Sequence, residues 1–313
     1  MKNKLLIVTP CRNSIKFIDQ TILSVITQQG DFEIYYHIQD GLSKDGTVEA
    51  LKKWKARFEL DAKFENCAPV HFSFSSEKDV TMYDAIQKGM NYLQKQVAGN
   101  EGKILMTWIN SDDLLLPGSV QTAFRMIYET GVAEVMTGYP CCIAEDGTYV
   151  MTQAVAAVSR EHLRKGYYDG RLMPFIMQEG TFWTKKIWDE VGGVRTDLKL
   201  CGDWDLWRRF AEVSEILVFR GALACHRRHE KQLSADCREY WKEIDTLLEP
   251  VKKKKLKGAW GYSAWFSLDE NRCKLEKCRV VNMKSKPLKV GGLRKLERAI
   301  RGYRKRIWNK SGD

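Results

Sequence analysis

Ile104-Leu105-Met106-Thr107-Trp108-Ile109-Asn110-Ser111-Asp112-Asp113 is the stretch on which the reading of this chain turns. Ile104 to Trp108 is a short apolar run of the kind a buried strand needs, and it gives way to a turn that carries two adjacent carboxylates. Pro117-Gly118 then restarts the chain, with Pro early in the next helix. In an α/β protein the carboxyl ends of the strands form the edge where ligands bind. Asp is a hard oxygen ligand, and Mg²⁺ or Mn²⁺ takes one or two carboxylates together with phosphate oxygens. Two Asp alone are better read as caps of the following helix. The flanking sequence reverses that preference.

Upstream, Leu5-Leu6-Ile7-Val8-Thr9 predicts a buried strand ending at Pro10, and Ile15, Ile18, Ile22, Val25 and Ile26 fall at helical spacing within 15–29. A second strand over Glu33–Gln39 ends in Asp40-Gly41, and Gly46-Thr47 opens a helix through Phe58. Val70–Phe74 and Met82–Gln96 repeat the alternation before the strand at Ile104. This β-α-β-α order predicts a mainly parallel sheet with helices on both faces. After Val135 the rhythm changes. Val135–Tyr139 and Thr148–Gln153 are expected to pair antiparallel around Glu145-Asp146-Gly147. Short helices are expected at Lys185–Val191 and Asp203–Glu212, a strand at Ile216–Phe219, and a helix from Ser234 to Leu248.

The 313 residues suffice for one large domain and an appendage. The nine Cys include no Cys-x-x-Cys pair, which argues against zinc and for free thiols in a reducing, cytoplasmic setting. No signal peptide and no apolar run of spanning length is read in the sequence. Charge is uneven. Of 51 Lys and Arg and 40 Asp and Glu, 20 basic and 5 acidic residues lie in 251–313, so the first 250 residues are mildly acidic and the tail strongly basic.

Every early strand carries polar groups at its carboxyl end: Thr9, Arg12 and Asn13, then Asp40, then Glu77 and Asp79, then Asp112 and Asp113. A parallel sheet brings these to one crevice, where carboxylates can take base and ribose donors while a metal covers phosphates. Each alone is as well explained as a helix cap; four in register point to a site. Asp203-Trp204-Asp205 begins an amphipathic helix, where one carboxylate could cap and the other serve as a base. His226 and His229 flank Arg227-Arg228: either imidazole could complete a metal site, and the Arg pair could meet a diphosphate.

In this order the motifs resemble the family 2 glycosyltransferases, inverting enzymes with the GT-A nucleotide-sugar-binding fold. The resemblance runs from about Leu5 to Ser234. It is carried by Thr9-Pro10-Cys11-Arg12-Asn13, by Gln39-Asp40-Gly41, and by the block from Ser76 to Gly89, where Thr81 stands for the usual Gly and Gln87 for Asn. It continues through Asn110-Ser111-Asp112-Asp113, the Gly202-Asp203-Trp204-Asp205-Leu206-Trp207 block, with Gly202 for the common Glu, and Arg227-Arg228-His229-Glu230-Lys231-Gln232-Leu233-Ser234. The resemblance implies a donor site drawn from Thr9, Pro10, Arg12, Asn13, Asp40, Asp79, Tyr83, Asp84, Lys88 and Asp112. It implies Mg²⁺ or Mn²⁺ held by Asp113 and His229, and Asp203 as general base. The fold expected is a mixed, mainly parallel central sheet with flanking helices. A catalytic domain is expected over 1–235, with its nucleotide-binding half at 1–115 and its acceptor-binding half at 116–235, followed by a basic helical extension over 236–313.

The expected partners are a nucleotide diphosphate sugar, UDP-linked in most such enzymes, and a glycan or lipid-linked acceptor. Lys252 to Lys255 and the stripe Leu293, Leu296, Ile300, Tyr303 and Ile307 fit a helix lying on an anionic membrane surface, or one packed on the catalytic domain. The first alternative places the protein on the inner face of the cell membrane. Nucleic acid is not expected, because no recognition motif accompanies the charge. Two other functions compete: a nucleotidyltransferase, which lacks a Gly-rich phosphate loop with its Lys, and a non-catalytic sugar-nucleotide-binding or membrane scaffold, which would lack a base or a metal acid.

Overall fold

Strand β1 (Asn3–Cys11) is buried along nearly its whole length, and its side chains alternate between two cores. Leu5 and Ile7 enter one; Leu6 and Val8 enter the other. A strand apolar on both faces must lie inside a sheet covered on both sides. The computed structural model, which describes residues 2–60, 67–99, 102–230, 237–248, 260–269 and 272–281, shows that arrangement.

The chain continues through α1 (Ile18–Ile26), β2 (Phe32–Asp40), α2 (Thr47–Glu59), β3 (Val70–Ser76), α3 (Met82–Gln96), β4 (Ile104–Trp108), β5 (Leu114–Leu115) and α4 (Ser119–Thr130). Then follow β6 (Val135–Thr137), β7 (Cys141–Ile143), β8 (Tyr149–Thr152), α5 (Arg160–Arg164), β9 (Thr181–Thr184) and α6 (Lys185–Val191). The last described elements are α7 (Gly202–Val213), β10 (Ile216–Phe219), β11 (Ala224–Arg227), α8 (Cys237–Leu247), β12 (Trp260–Asp269) and β13 (Arg272–Val281).

Nine strands form the main sheet in the order β13-β12-β10-β6-β9-β4-β1-β2-β3. All run parallel except β9, between β4 and β6, and β13 at the edge. Apolar residues of α1 and α4 pack on one face; those of α3, α6 and α7 pack on the other. Gly89 lets α3 approach β1 closely, since a Cβ there would come within 2.8 Å of Val8. A second sheet, β5-β11-β7-β8, stands over the carboxyl end of β4. Residues 1–115 and 116–235 are thus tied through one continuous sheet at β4 and β9.

Two expectations change. The hairpin around Glu145–Gly147 forms, but its first strand is β7, not Val135–Tyr139. Gly138 and Pro140 separate β6 from β7, and the fully buried β6 joins the main sheet between β9 and β10. The second change lies in the extension: 260–269 and 272–281, expected within a helical segment, are antiparallel paired strands. Tyr262, Ala264 and Phe266 alternate onto the core shared with α4, and β12 pairs with β10. The period of two decided the structure there, and the charge had obscured it. Lys252 to Lys255, the stripe from Leu293 to Ile307, Gln232 and Ser234 lie outside the described residues. Among the described residues no helix is long and apolar enough to cross a membrane.

Candidate active site

The loops after β1 and β2 are laced together by side chains. Asn13, in the left-handed region at φ 52°, accepts from the Lys44 N–H at 2.9 Å, and its own N–H donates to Ser43 Oγ at 2.7 Å. Asp40 is fully buried and accepts from the Ser43 N–H (3.1 Å), from Ser43 Oγ, and from Ser76 Oγ on β3 (2.6 Å). A Cβ on Gly41 would lie 3.2 Å from Asp79 Oδ2 and 3.6 Å from Arg12 Cδ, so the edges of three strands meet at that glycine. Lys88 bridges Asp79 (3.2 Å) and Asp84 (3.0 Å), and Asp84 also accepts from the Val80 N–H at 3.0 Å. Thr9 and Pro10 are buried in β1, and the Thr9 hydroxyl lies 3.0 Å from that of Tyr36. Of the expected donor residues, these two lie inside the sheet, whereas Arg12, Asn13, Lys88 and the carboxylates lie at the strand ends.

Across the crevice, Asp113, Glu179 and His226 offer ligand atoms all within 4.8 Å of one another. Asp113 follows β4, Glu179 precedes β9, and His226 sits on β11. His226 Nδ1 is 3.6 Å from Asp113 Oδ1 and 3.5 Å from Glu179 Oε1, and Asn110 Nδ2 donates to both carboxylates at 3.2 Å. The Arg227 N–H donates to Asp113 Oδ1 at 2.7 Å. Burial, with the Glu179 charge beside it, pushes the Asp113 carboxyl far above its usual range. Burial opposes charge on His226, but the two carboxylates beside it prevail and lift it to about 11. Two carboxylates and an imidazole held this way fit a divalent cation, which would take the place of the cluster's protons.

His229 is placed differently: its Nε2 is 2.7 Å from Asp112 Oδ2, and its ring lies against Phe17. The expected Asp113–His229 pairing is therefore not what the structure brings together. Arg227 also departs from its expected role at a diphosphate. It is fully buried, with its guanidinium donating to Asp112 O (2.7 Å), Glu145 O (2.9 Å) and Gln20 Oε1 (2.8 Å), over the Phe17 ring. Arg228 is exposed.

Asp203 occupies the first turn of α7, where helix geometry favours an acid. Its Oδ1 meets the Trp204 N–H (2.8 Å), the Tyr83 hydroxyl (3.4 Å) and the Tyr240 hydroxyl (3.4 Å). No hydrogen bond to Oδ2 is made among the described residues. Burial, with the charge of Glu179, raises the Asp203 carboxyl to about 6, against the lowering effect of those donors. Gly202 makes the arrangement possible: a Cβ there would come within 2.7 Å of the Tyr83 ring.

The sequence profile of Glycosyl transferase family 2 matches residues 6–192. The chain belongs to that family. This family 2 glycosyltransferase has the GT-A fold. It is similar to the crystal structure of S. aureus TarS 1-349, with TM-score 0.50 and 16% identity over 79% of this chain and 64% of that one. The mannosyltransferase PcManGT from Pyrobaculum calidifontis, in complex with GDP-Man and Mn²⁺, matches with TM-score 0.52 and 11% identity over 79% of this chain and 65% of that one. The glycosyltransferase chain thus spans less than two thirds of either structure's length.

Sequence reasoning missed Glu179, because strand β9 went unread. Its only local signal is an acid just before Gly180 and the run Thr181-Phe182-Trp183-Thr184. The two departures in the Ser76–Gly89 block also gain a physical account. Thr81 caps α3, accepting from the Asp84 N–H at 3.1 Å and donating to Thr196 O at 3.0 Å. Gln87 Oε1 accepts from the Val194 N–H at 3.1 Å.

Proposed function

We propose that this glycosyltransferase moves a sugar, with inversion, from a nucleotide diphosphate sugar to a hydroxyl of a glycan or lipid-linked acceptor. The observation that carries the reading is the Asp203 carboxylate, anchored through Oδ1 with Oδ2 left to receive a proton. A base must reach the hydroxyl it deprotonates, and a carboxylate raised toward 6 is a stronger base than a solvated one while still ionised at neutral pH. As Asp203 takes that proton, the acceptor oxygen attacks the anomeric carbon from the face opposite the leaving diphosphate, in one displacement. Asp113, Glu179 and His226 would hold Mg²⁺ or Mn²⁺, which supplies Lewis-acid neutralisation of the departing diphosphate. Asp40, Asp79, Asp84, Lys88, Arg12 and Asn13 would line the nucleoside side, with Tyr83 beneath and Asp112, oriented by His229, at the ribose.

A UDP-sugar is the first donor to test. The TarS fold is known in complex with UDP, and the mannosyltransferase carries GDP-Man with Mn²⁺. The basic tail would place the enzyme at an anionic membrane surface on the cytoplasmic side, beside a lipid-linked acceptor. Calorimetric titration with a panel of nucleoside diphosphates, with and without Mn²⁺, is the direct test. Binding of one nucleotide that requires the metal and is lost in Asp113→Ala is the expected result. Equal binding in Asp113→Ala, or none to any nucleotide in a folded sample, refutes the reading.

A further inference from the structure

Helix α8 lies beyond the residues matched by the family profile, yet four of its side chains, Tyr240, Trp241, Glu243 and Asp245, tie it to Asp203 or to the segments around it. Glu243 accepts three successive main-chain N–H groups, from Lys199 (2.7 Å), Leu200 (2.7 Å) and Cys201 (2.8 Å), on the turn that leads into α7. Trp241 donates its indole N–H to Asp169 O at 2.8 Å. Arg171 ties the Asp169 carboxylate (2.7 Å) to Asp245 of α8 (2.8 Å). Helix and turn are therefore clasped together, and Tyr240 is set beside the base. Its ring stands edge-on to Phe175, with centroids 5.3 Å apart.

Two phenol oxygens lie 3.4 Å from Asp203 Oδ1, but each phenol has one proton to give. Tyr83 is only 2.9 Å from Leu200 O, so its proton goes to that carbonyl. For the Tyr240 hydroxyl, Asp203 is the one acceptor among the described residues. The other groups around Asp203 do not replace it. Tyr83 comes from α3 and the Trp204 N–H from α7 itself. Cys201 sits at the start of α7, and the Glu179 charge acts in the opposite sense by disfavouring a second carboxylate.

We propose that Tyr240 is a positioning residue that holds Asp203 by Oδ1 and favours its ionised form, with Glu243 clasping α8 in the register this requires. The proposal rests on Asp203 as the general base, and its test separates the two. Tyr240→Phe keeps the ring against Phe175 and removes only the hydroxyl. Its effect is read by a ¹³C NMR titration of aspartate carboxyls in the full chain, with Asp203 assigned through Asp203→Asn, beside the pH profile of kcat/KM. A hydrogen bond to a charged acceptor at this length predicts that both midpoints rise by about half a unit to one unit. That is a roughly three- to tenfold loss of kcat/KM on the acid side of the profile. Tyr83→Phe should move the Asp203 titration less.

An unshifted titration in Tyr240→Phe overturns the proposal, whatever the profile does. A shifted titration with an unshifted profile upholds the contact and overturns Asp203 as base. Glu243→Gln, which weakens the clasp and leaves Tyr240 in place, should shift both midpoints in the same direction by a smaller amount. It serves as the second variant if Tyr240→Phe does not fold.

Discussion

Asp203 is held where its chemistry opposes its stability. Raising a carboxyl from the ordinary 3.8 to about 6 means that its ionised form weakens the fold by up to roughly 3 kcal/mol above pH 7. The sign follows from the folded pKa lying above the unfolded one. The protonated acid favours the native state, nothing is lost below pH 4, and the deficit grows between pH 4 and 6. Asp203→Asn should therefore be more stable than wild type in urea denaturation at pH 8, with the difference shrinking toward zero near pH 4. The same substitution should lower turnover by about 10²–10⁴, the usual contribution of a general base. Wild-type kcat/KM should fall tenfold per pH unit below about 6. Asp203 was legible from its motif; its environment was not, because Tyr83 and Tyr240 lie 120 and 37 residues away. Gly202 belongs to the same account, since the Tyr83 ring fills the space a Cβ there would need.

Helix α3 shows how an element absorbs a departure from its family's pattern. A glycine is needed where the backbone must turn left-handed, but Thr81 sits at φ −142° and caps the helix with its hydroxyl. Thr81→Ala should cost about 1 kcal/mol by urea denaturation, and Thr81→Gly only a few tenths more than the threonine. No loss in Thr81→Ala would show that the cap contributes nothing. The β12–β13 pair shows the converse. Its alternation of Trp260, Tyr262, Ala264 and Phe266 is present in the sequence, but the strongly basic surroundings predicted a helical extension over 236–313 instead. Cations stack on those rings, Arg125 over Phe266 at 4.3 Å and Arg279 over Trp260 at 3.6 Å, so part of the charge belongs to the packed sheet edge.

At the scale of the whole molecule, the sheet gathers carboxylates from strand ends far apart in sequence. Asp113, Glu179 and His226 converge from β4, the start of β9, and β11, a like-charge pair that is costly without a cation or shared protons. A divalent ion that binds only the folded chain should stabilise it by roughly 2.7 kcal/mol at a hundredfold its Kd. Mn²⁺ should raise the melting temperature of wild type, more at pH 8 than at pH 6, because Asp113 must lose its proton to bind. Asp113→Ala and Glu179→Gln should abolish or blunt that response. Mn²⁺-induced stabilisation of full size in Asp113→Ala would place the metal elsewhere.

The order of strands and helices through β4, and the placing of Asp40 and Asp113 at strand ends and of Asp203 at a helix start, were legible in the sequence, because periodicity and strand-end chemistry are local properties. The partners of those groups were settled only by tertiary structure. Glu179 joins Asp113 and His226 from the turn before β9, the strand inserted antiparallel between β4 and β6, Arg227 is drawn inward by three oxygen acceptors, and His229 turns to Asp112. A hydrogen bond or a desolvated charge depends on which distant segments share a few ångströms of space, and residue spacing along a chain does not encode that.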